Sequence, residues 1–383
     1  MKIAIFANTP AQVYFYKNII KKLEEHGHQV KLLVRDYGET IAVVSELKLD
    51  CMVYSNPKSS KLSKLLSLPY DVLQAYKELR KFKPDIVTGM GVYDAFTAFL
   101  LRAKCIEFED SEPNANKISY SIQFKLYLPF VDAIITPESF RDDLGKKQIR
   151  INSFKELAYL HPNYYRPDES IKGLLGLKGN EEYVLLRFNA FDAMHDLGIA
   201  GFKDSDKVRL VRELEKYAKI FISSEAGVPD EIKDCVMKIP KSRIHDGIYY
   251  AKLLVADTGT MVTEAACLGT PAIMLHSSVK KFGNFVELEN KYELIFGYDQ
   301  GSNEAIERAV ELIKKQNLND EWKAKRERLL KDKIDITAFM VWFIEDWPES
   351  ARIIRDNPDY QEIFNEQVPR LAGRQEVRAL SYS

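Results

Sequence analysis

The chain has 383 residues, a length that predicts two domains at about 150 residues each. Its 55 Lys and Arg residues nearly balance 56 Asp and Glu residues, so the formal net charge is −1. This balance excludes a strongly basic nucleic-acid coat protein and an acidic disordered chain. The four cysteines are widely spaced and form no C-x-x-C motif, which excludes a zinc ribbon or a disulfide scaffold and favours a reducing compartment. Because every apolar run is shorter than a membrane span, we expect a cytoplasmic protein.

The first 160 residues alternate short apolar runs with longer amphipathic segments, which is typical of βα units. The predicted strands are 2–7, 29–34, 51–54, 85–88, 105–108 and 131–136. The predicted helices are 11–26, 40–47, 70–82 and 93–102. We therefore expect residues 1–160 to form an N-terminal Rossmann-like domain.

A segment with prolines, glycines and no clear period, 161–182, is predicted to be the interdomain linker. The alternation then restarts, which predicts a second Rossmann-like domain over 183–335. Its predicted strands are 183–188, 219–223, 236–239, 253–256 and 271–275, and its predicted helices are 205–217, 244–251, 260–268, 303–315 and 322–333. Helices over 336–365 are expected to return toward the first domain, followed by a polar tail over 366–383. The predicted fold class is α/β, with two doubly wound parallel sheets that face a central cleft, where such folds bind ligands.

The most informative motif is the run 257–273, which predicts a strand end, a tight turn, a helix and a further strand. The turn Thr258-Gly259-Thr260 would present backbone N–H groups at a helix N-terminus, where they and the helix dipole attract a phosphate. Gly259 would let the backbone approach that phosphate closely. Glu264, one turn into the helix, could accept hydrogen bonds from two ribose hydroxyls. The alternative is an ordinary βαβ unit in which Thr258 caps the helix and Glu264 is solvated.

This run resembles the nucleotide-sugar signature of GT-B glycosyltransferases and of the non-hydrolysing UDP-N-acetylglucosamine 2-epimerases. Their Ser-Gly-Gly turn, glutamate and Gly-x-Pro spacing match Thr258-Gly259-Thr260, Glu264 and Gly269-Thr270-Pro271. The resemblance implies that Gly259, Thr260 and Met261 contact a diphosphate and that Glu264 binds the ribose. It implies no metal site.

More closely, residues 1–345 resemble family 354 of the domains of unknown function, whose members are predicted GT-B enzymes. The resemblance rests on the segments 8–13, 24–28, 83–85, 136–138 and 155–160, together with the run 257–273. It implies the GT-B fold more strongly than it implies a particular reaction.

The GT-B resemblance implies that the N-terminal domain over 1–160 binds the acceptor of the reaction. Candidate acid and base residues in that domain follow predicted strands. In GT-B enzymes the loop after the first strand often carries a general base, but here that loop contains Gln12, which cannot take a proton. The alternative role for this loop is a polar helix cap with Pro10 in the first turn. Asp110, Glu112 and Glu138 are the carboxylates that could replace Gln12 as the base.

On the donor side, Arg187 and His195 lie on the segment that leaves the first strand of the second domain. Arg187 could neutralise a diphosphate leaving group, or it could form a structural salt bridge. His195 could donate a hydrogen bond or act as an acid, or it could simply lie on the surface. By the resemblance, Ile244 and His245 occupy the position whose backbone reads the base of the nucleotide. The alternative is that His245 starts a helix and faces water.

Residues 58–83 contain seven basic and two acidic side chains, a local charge of +5, with leucines between them. For a lipid-linked acceptor this segment would be a peripheral contact with the inner face of the membrane. The alternative is a solvated helix face with leucines in the core.

The sequence therefore predicts a glycosyltransferase-like enzyme that binds a nucleotide sugar, expected to be a UDP sugar, in the cleft between its domains. The sugar would pass to a glycan or lipid-linked acceptor in surface glycan biosynthesis, with no cofactor required and no nucleic-acid partner. One alternative is a sugar epimerase similar to UDP-N-acetylglucosamine 2-epimerase. Another is a catalytically silent nucleotide-sugar-binding subunit, which Gln12 would favour.

Overall fold

The computed structural model describes residues 1–55, 61–115, 118–188, 201–224 and 227–365, with backbone alone for 61–66, 118 and 119. The chain divides into two compact units. The first comprises Met1–Tyr159 and the chain from Lys331 onward, and the second is Leu160–Leu330. The segment 161–182, predicted to be a linker, belongs to the second unit and contains a short helix.

The first unit is built on a seven-stranded parallel sheet with the order β3-β2-β1-β4-β5-β6-β7. Its strands are β1 (Lys2–Ala7), β2 (Gln29–Arg35), β3 (Met52–Ser55), β4 (Ile86–Gly89), β5 (Lys104–Phe108), β6 (Ala133–Pro137) and β7 (Gln148–Ile151). The central strands β1, β4 and β5 are buried along nearly their whole length because both faces of a parallel sheet are covered by helices. The strand order reverses between β1 and β4, which is the switch point of this sheet.

Helices connect these strands on both faces of the sheet. They are α1 (Pro10–Glu25), α2 (Thr40–Glu46), α3 (Lys61–Leu79), α4 (Val92–Leu101), α5 (Ile118–Tyr127) and, at the unit boundary, α6 (Leu157–Leu160). The Thr9 hydroxyl caps α1 by accepting from the Gln12 N–H (3.4 Å), and Pro10 is the first helical residue. Right-handed crossovers place α1 and α2 on one face and α3, α4 and α5 on the other.

The second unit has a five-stranded parallel sheet with the order β12-β11-β10-β8-β9. Its helices are α7 (Ile171–Leu174), α8 (Asp204–Leu214), α9 (Ile244–Tyr249), α10 (Gly259–Leu268), α11 (Gly283–Asn290), α12 (Ser302–Ile313) and α13 (Leu318–Asp332). Its strands are β8 (Tyr183–Phe188), β9 (Lys219–Ser224), β10 (Leu253–Ala256), β11 (Ala272–Leu275) and β12 (Ile295–Tyr298). The switch point of this sheet lies between β8 and β10.

Two C-terminal helices, α14 (Ile336–Glu345) and α15 (Glu349–Asp356), belong to the first unit. The apolar side chains of α14 are buried and the helix packs against α1. Two side-chain hydrogen bonds tie this segment to the end of the first 159 residues, from Thr337 Oγ1 to the Ala158 carbonyl (2.9 Å) and from Ser153 Oγ to the Ile334 carbonyl (2.9 Å).

Several local predictions differ from the structure. The strand expected over 236–239 is wrong, since only Val236 forms an isolated bridge to Ile222. Helix α8 ends at Leu214 rather than at the predicted residue 217, and the Asp204 carboxylate in its first turn pairs with Lys207 at 2.9 Å. Six of the described helices and strands had no clear sequence signal: α5, β7, α6, α7, α11 and β12. The helices α5 and α11 lack a strong apolar stripe, and each of the strands has only four residues.

In the described parts of the chain, no helix is both long enough and apolar enough to cross a membrane.

Candidate functional site

Residues at the switch point of the second sheet lie on neighbouring strand ends. Arg187 of β8 pairs in register with Ala256 of β10 on one side and with Ser223 of β9 on the other. The Arg187 side chain donates from Nη1 to Ser223 Oγ at 2.8 Å. The structure therefore brings Arg187 next to the turn that follows β10, where open α/β sheets bind ligands.

The turn after β10 leads directly into α10. Thr258 is the N-cap of this helix, with extended backbone angles and no capping hydrogen bond from its side chain. The first residues of α10 are Gly259, Thr260 and Met261, so the positive end of the helix dipole lies at the strand edge beside Arg187. This arrangement can bind an anion such as a diphosphate.

Gly259 is required by a packing contact that the sequence did not reveal. A Cβ atom added at this position would lie 2.5 Å from Cζ of the Phe285 ring, which comes from α11. The side chain of Met261 is buried in the same region. The glycine thus allows the Phe285 ring to pack against the beginning of α10, and this requirement does not depend on a ligand at the turn.

Glu264 and His245 form a buried pair. Nε2 of His245, on α9, lies 3.0 Å from Oε1 of Glu264, on α10, and both side chains are about 5% exposed or less. Neither residue is solvated, so the alternatives in which they face water are wrong. The pair fixes the Glu264 carboxylate one turn inside the helix that starts at Thr258.

A second set of hydrogen bonds anchors α9 and with it His245. Asp246, the next residue, accepts from the Tyr165 hydroxyl (2.6 Å), from Arg243 Nε (2.6 Å) and from the Asp168 N–H (3.1 Å). The Tyr165 ring meets the His245 ring edge-on, with 6.5 Å between their centroids. Ile244, the first residue of α9, is half-buried at this anchored end.

His276 is a residue at this edge that the sequence reading missed. It directly follows β11, and its Nδ1 accepts a hydrogen bond from the Ser278 N–H (3.1 Å). Burial lowers the pKa of this imidazole. A neutral ring that accepts at Nδ1 carries its proton on Nε2, which makes His276 a hydrogen-bond donor at the edge. The sequence signal that could have identified His276 is its position, since it is a polar residue directly after a buried strand.

His195, predicted as a donor or acid, lies outside the described residues.

In the first unit, Gln12 closes the loop between β1 and α1. Its side-chain Oε1 accepts from the Asn8 N–H at 2.7 Å, and Asn8 Oδ1 in turn accepts from the Tyr54 hydroxyl at 2.7 Å. The Gln12 amide accepts a hydrogen bond in this network, but an amide cannot act as a general base. Gln12 thus shapes the loop at the switch point of the first sheet.

The three carboxylates proposed as alternative bases have different environments. Asp110 Oδ2 is 2.6 Å from Lys155 Nζ in a mostly buried ion pair. Glu112 is buried, and its Oε1 accepts from the Arg141 N–H at 3.4 Å. Glu138 follows β6 and is exposed. Each of the three carboxylates therefore has its own surroundings.

A different group of carboxyl side chains is clustered at the ends of β4 and β5. Glu107 of β5 and Asp94 of α4 both accept from the Gly91 N–H, at 2.9 Å and 3.3 Å. Two residues further along from Glu107, Glu109 accepts from the Tyr120 hydroxyl at 2.7 Å and from the Ser111 N–H at 2.9 Å. All three carboxyl groups are buried.

Burial governs the protonation of this cluster. Desolvation, countered by hydrogen bonds to its carboxylate, raises the pKa of Asp94 to about 7. Desolvation and the neighbouring Asp94 charge raise the pKa of Glu107 well above its ordinary value. Desolvation, and then the charge of Asp110, raise the pKa of Glu109 to about 7. Groups that exchange protons near neutral pH are suited to acid–base chemistry.

Across the described ranges, no group of three or more His, Cys, Asp or Glu side chains is arranged so that it could hold a metal ion.

Comparison with protein families gives one match that covers most of the chain. Residues 1–341 match the family model described as "Protein of unknown function (DUF354)". The family expected from the sequence is thereby confirmed. No curated protein matches the chain.

Solved structures with similar folds include UDP-GlcNAc 2-epimerases and glycosyltransferases. Staphylococcus aureus MnaA in complex with UDP is 12% identical, with a TM-score of 0.67 over 91% of this chain and 97% of that one. UDP-GlcNAc 2-epimerase from Methanocaldococcus jannaschii is 15% identical, with a TM-score of 0.58 over 86% and 99%. SsfS6, a glycosyltransferase from Streptomyces sp. SF2575, is 11% identical, with a TM-score of 0.57 over 90% and 100%. With the two parallel sheets, these likenesses confirm the GT-B fold class.

Proposed function

The chain belongs to the DUF354 family of proteins of unknown function, and from that premise we propose that it is an enzyme that binds a UDP sugar through its second unit. The Glu264–His245 pair is the observation that carries this proposal. A buried carboxylate held by a histidine, one turn inside a helix that opens at a sheet switch point, suits two neighbouring ribose hydroxyls. UDP binding by one structural neighbour, MnaA, supports the same ligand class.

In this proposal the diphosphate binds at the beginning of α10. The N–H groups of Gly259, Thr260 and Met261 and the helix dipole offset its charge, and Arg187 adds a guanidinium from the adjacent strand end. The same groups stabilise the diphosphate when it departs as a leaving group, because its negative charge increases at that moment. His276 supplies a further donor at this edge.

The proposed reaction is transfer of the sugar to an acceptor bound by the first unit, in the synthesis of a surface glycan. Glycosyltransferases among the structural neighbours support this reaction class. Glu109 is a better candidate for the base than Gln12, since its pKa of about 7 lets it accept a proton at neutral pH.

A second candidate function is epimerisation of the sugar at a carbon next to a carbonyl or leaving group. The observation that favours it is the cluster of Asp94, Glu107 and Glu109, because epimerisation needs a group that removes a proton and another that returns one. UDP-GlcNAc 2-epimerases among the structural neighbours agree with this alternative. Binding without turnover, as in a silent subunit, is the third outcome.

The binding step is tested by calorimetric titration of UDP into the full chain and into Glu264→Gln. We expect the variant to bind at least about tenfold more weakly, since a neutral amide accepts fewer hydroxyl hydrogen bonds than a carboxylate. Glu289→Gln is the matched control, because Glu289 is a partly buried carboxylate of α11 that pairs with Lys280. Equal UDP affinity in wild type and Glu264→Gln, or no UDP binding at all, would overturn the proposal.

Turnover is then followed by NMR with UDP-N-acetylglucosamine. Release of UDP only when an acceptor is added identifies a transferase, while conversion of the UDP sugar without an acceptor identifies an epimerase. Running both reactions in EDTA tests the prediction that no metal cofactor is required. The acceptor class, a free glycan or a lipid-linked one, is resolved by offering both.

A further inference from the structure

One face of the first unit exposes an unusual number of large apolar side chains. Among the described residues, twelve large apolar side chains are exposed, and six of them lie on the three neighbouring helices α3, α4 and α5. These six residues, with 43–62% of their surface exposed, are Tyr70, Leu73, Phe99, Leu100, Ile122 and Leu126. We call them the apolar face of α3–α5.

The spacing of these residues shows that they form stripes directed away from the core. On α3, Tyr70 and Leu73 continue into Lys77 and Arg80, at intervals of three or four residues, and all four are exposed. On α5, Ile122 and Leu126 flank Lys125 on the same side. The opposite sides of both helices pack into the core of the first unit, through Ala75, Leu79 and Phe124 among others.

The charge around this face is positive. Because β-α-β crossovers repeat the same handedness, α3, α4 and α5 run in one direction and their last turns lie at one end. Those ends carry Lys77 on α3 and Arg80 directly after it, Arg102 at the cap of α4 and Lys125 on α5. None of these four takes part in an ion pair among the described residues, and Glu78 is the exposed acid of the described side chains on the three helices.

We propose that the apolar face of α3–α5 docks on the surface of an anionic lipid bilayer. Apolar side chains would enter the boundary between headgroups and acyl chains, while the cations at the helix ends would bind lipid phosphates. A second copy of the chain suits this face less well, because the same cations would be brought together. The sequence pointed only to residues 58–83, and the structure adds α4 and α5, which contribute four of the six apolar residues.

This inference is independent of the UDP-sugar proposal, since it concerns other residues of the first unit. It is tested by flotation of the full chain with vesicles of phosphatidylcholine, with and without phosphatidylglycerol. We expect binding to the anionic vesicles that weakens in salt. Ile122→Glu with Leu126→Glu, and separately Lys77→Glu with Arg80→Glu, should each reduce the bound fraction by about tenfold or more.

Matched controls come from the second unit, where Leu174 is an exposed leucine and Lys238 and Lys323 are exposed lysines. Leu174→Glu and the pair Lys238→Glu with Lys323→Glu should leave vesicle binding unchanged. The melting temperature of each variant shows whether it is folded, and UDP titration of the face variants shows whether their second unit is intact. Equal vesicle binding by wild type and face variants, no binding by wild type, or a dimer that Leu126→Glu dissociates would each overturn the proposal.

Discussion

The His245–Glu264 pair links two helices through side chains that the sequence places nineteen positions apart. Removing the histidine takes a hydrogen bond from a buried carboxylate, which costs about 2 kcal/mol. We expect His245→Ala to lower the melting temperature and to weaken UDP binding, because Glu264 loses the partner that orients it. Calorimetric titration and thermal unfolding measure the two effects.

A double-mutant cycle separates this coupling from general damage to α9. His245→Ala, Glu264→Gln and the double variant should give a coupling energy of about 1 to 3 kcal/mol for UDP binding. Tyr249→Phe, on the same helix, is a control that should leave both quantities nearly unchanged. Strictly additive effects of the two substitutions would show that the pair does not act as a unit.

Glu109 gives a prediction about pH. Its pKa is raised from 4.5 to about 7, so the folded state holds a proton that the unfolded state releases. The stability contributed by this proton is fully present below pH 4.5 and is lost as pH rises through about 7. The loss is about 3 kcal/mol, and Glu109→Gln, which does not titrate, should escape it.

The measurement is the melting temperature of wild type and Glu109→Gln at several pH values between 5 and 8. Relative to wild type, the variant should become more stable as pH rises. Asp110, Tyr120 and Lys155 act on the Glu109 carboxyl group. Glu138→Gln, at an exposed carboxylate after β6, serves as the control for replacing a glutamate of the first unit. A difference between wild type and Glu109→Gln that is constant with pH would contradict the prediction.

Candidate residues could be predicted from the sequence where they belong to a motif or lie at a predicted strand end. They could not be predicted where only the folded structure brings them together. Arg187 lies at the end of β8 and the Thr258 turn follows β10, and the register pairs Arg187 with Ala256, so both are at one edge of the sheet. Asp94 and Glu107 are separated by a helix and most of a strand, and each has an apolar neighbourhood in sequence. Only the shared hydrogen bonds to Gly91 reveal that they meet.

At the scale of elements, the packing of α11 against α10 explains Gly259. Gly259→Ala should destabilise the protein by about 1 to 3 kcal/mol, because a Cβ would lie 2.5 Å from the Phe285 ring. Phe285→Leu should relieve much of this strain, so the double variant should be more stable than the sum of the single effects. Thermal unfolding of the three variants measures this.

Gly173→Ala on α7 is the matched control, because a Cβ there meets no atom within 4 Å. We expect it to be neutral or slightly stabilising. If Gly259→Ala were equally harmless, the Phe285 contact would not be the constraint on this glycine.

Elements with a strong period were predicted to within a few residues, as for β1, α1, β8 and α10. The missed strands β7 and β12 have four residues each, and their stability comes from pairing with β6 and β11 rather than from their own sequence. The missed helix α5 carries apolar side chains on its exposed side as well as its buried side, which hides the helical period.

For the whole molecule, both sheets place their candidate residues at a switch point. Gln12 and the Gly91 amide follow β1 and β4, while Arg187 lies at the end of β8 and Thr258 follows β10. The rule that open parallel sheets bind ligands at their switch points therefore identifies both regions from strand order alone. The first unit is discontinuous, since it resumes at Lys331, 172 positions after Tyr159. The sequence predicts domain limits at 160 and 335 and a return of the helices over 336–365 toward the first domain.

The discontinuous first unit predicts different behaviour for two fragments. Residues 160–330 contain a complete five-stranded sheet with its helices and should unfold cooperatively and bind UDP. Residues 1–159 lack α14, whose side chains Phe339, Met340 and Phe343 are buried against the first unit. That fragment should aggregate or remain partly unfolded, because it exposes the surface that α14 covers.

Circular dichroism, thermal unfolding and UDP titration of both fragments check this. Adding residues 331–365 to the first fragment through a flexible linker should restore a cooperative transition, since the Ala158 and Ser153 hydrogen bonds to that segment can form again. A fragment 1–159 that folds cooperatively by itself would show that the C-terminal helices are an addition to the first unit. A fragment 160–330 that folds but fails to bind UDP, while the full chain binds it, would place part of the nucleotide site in the first unit.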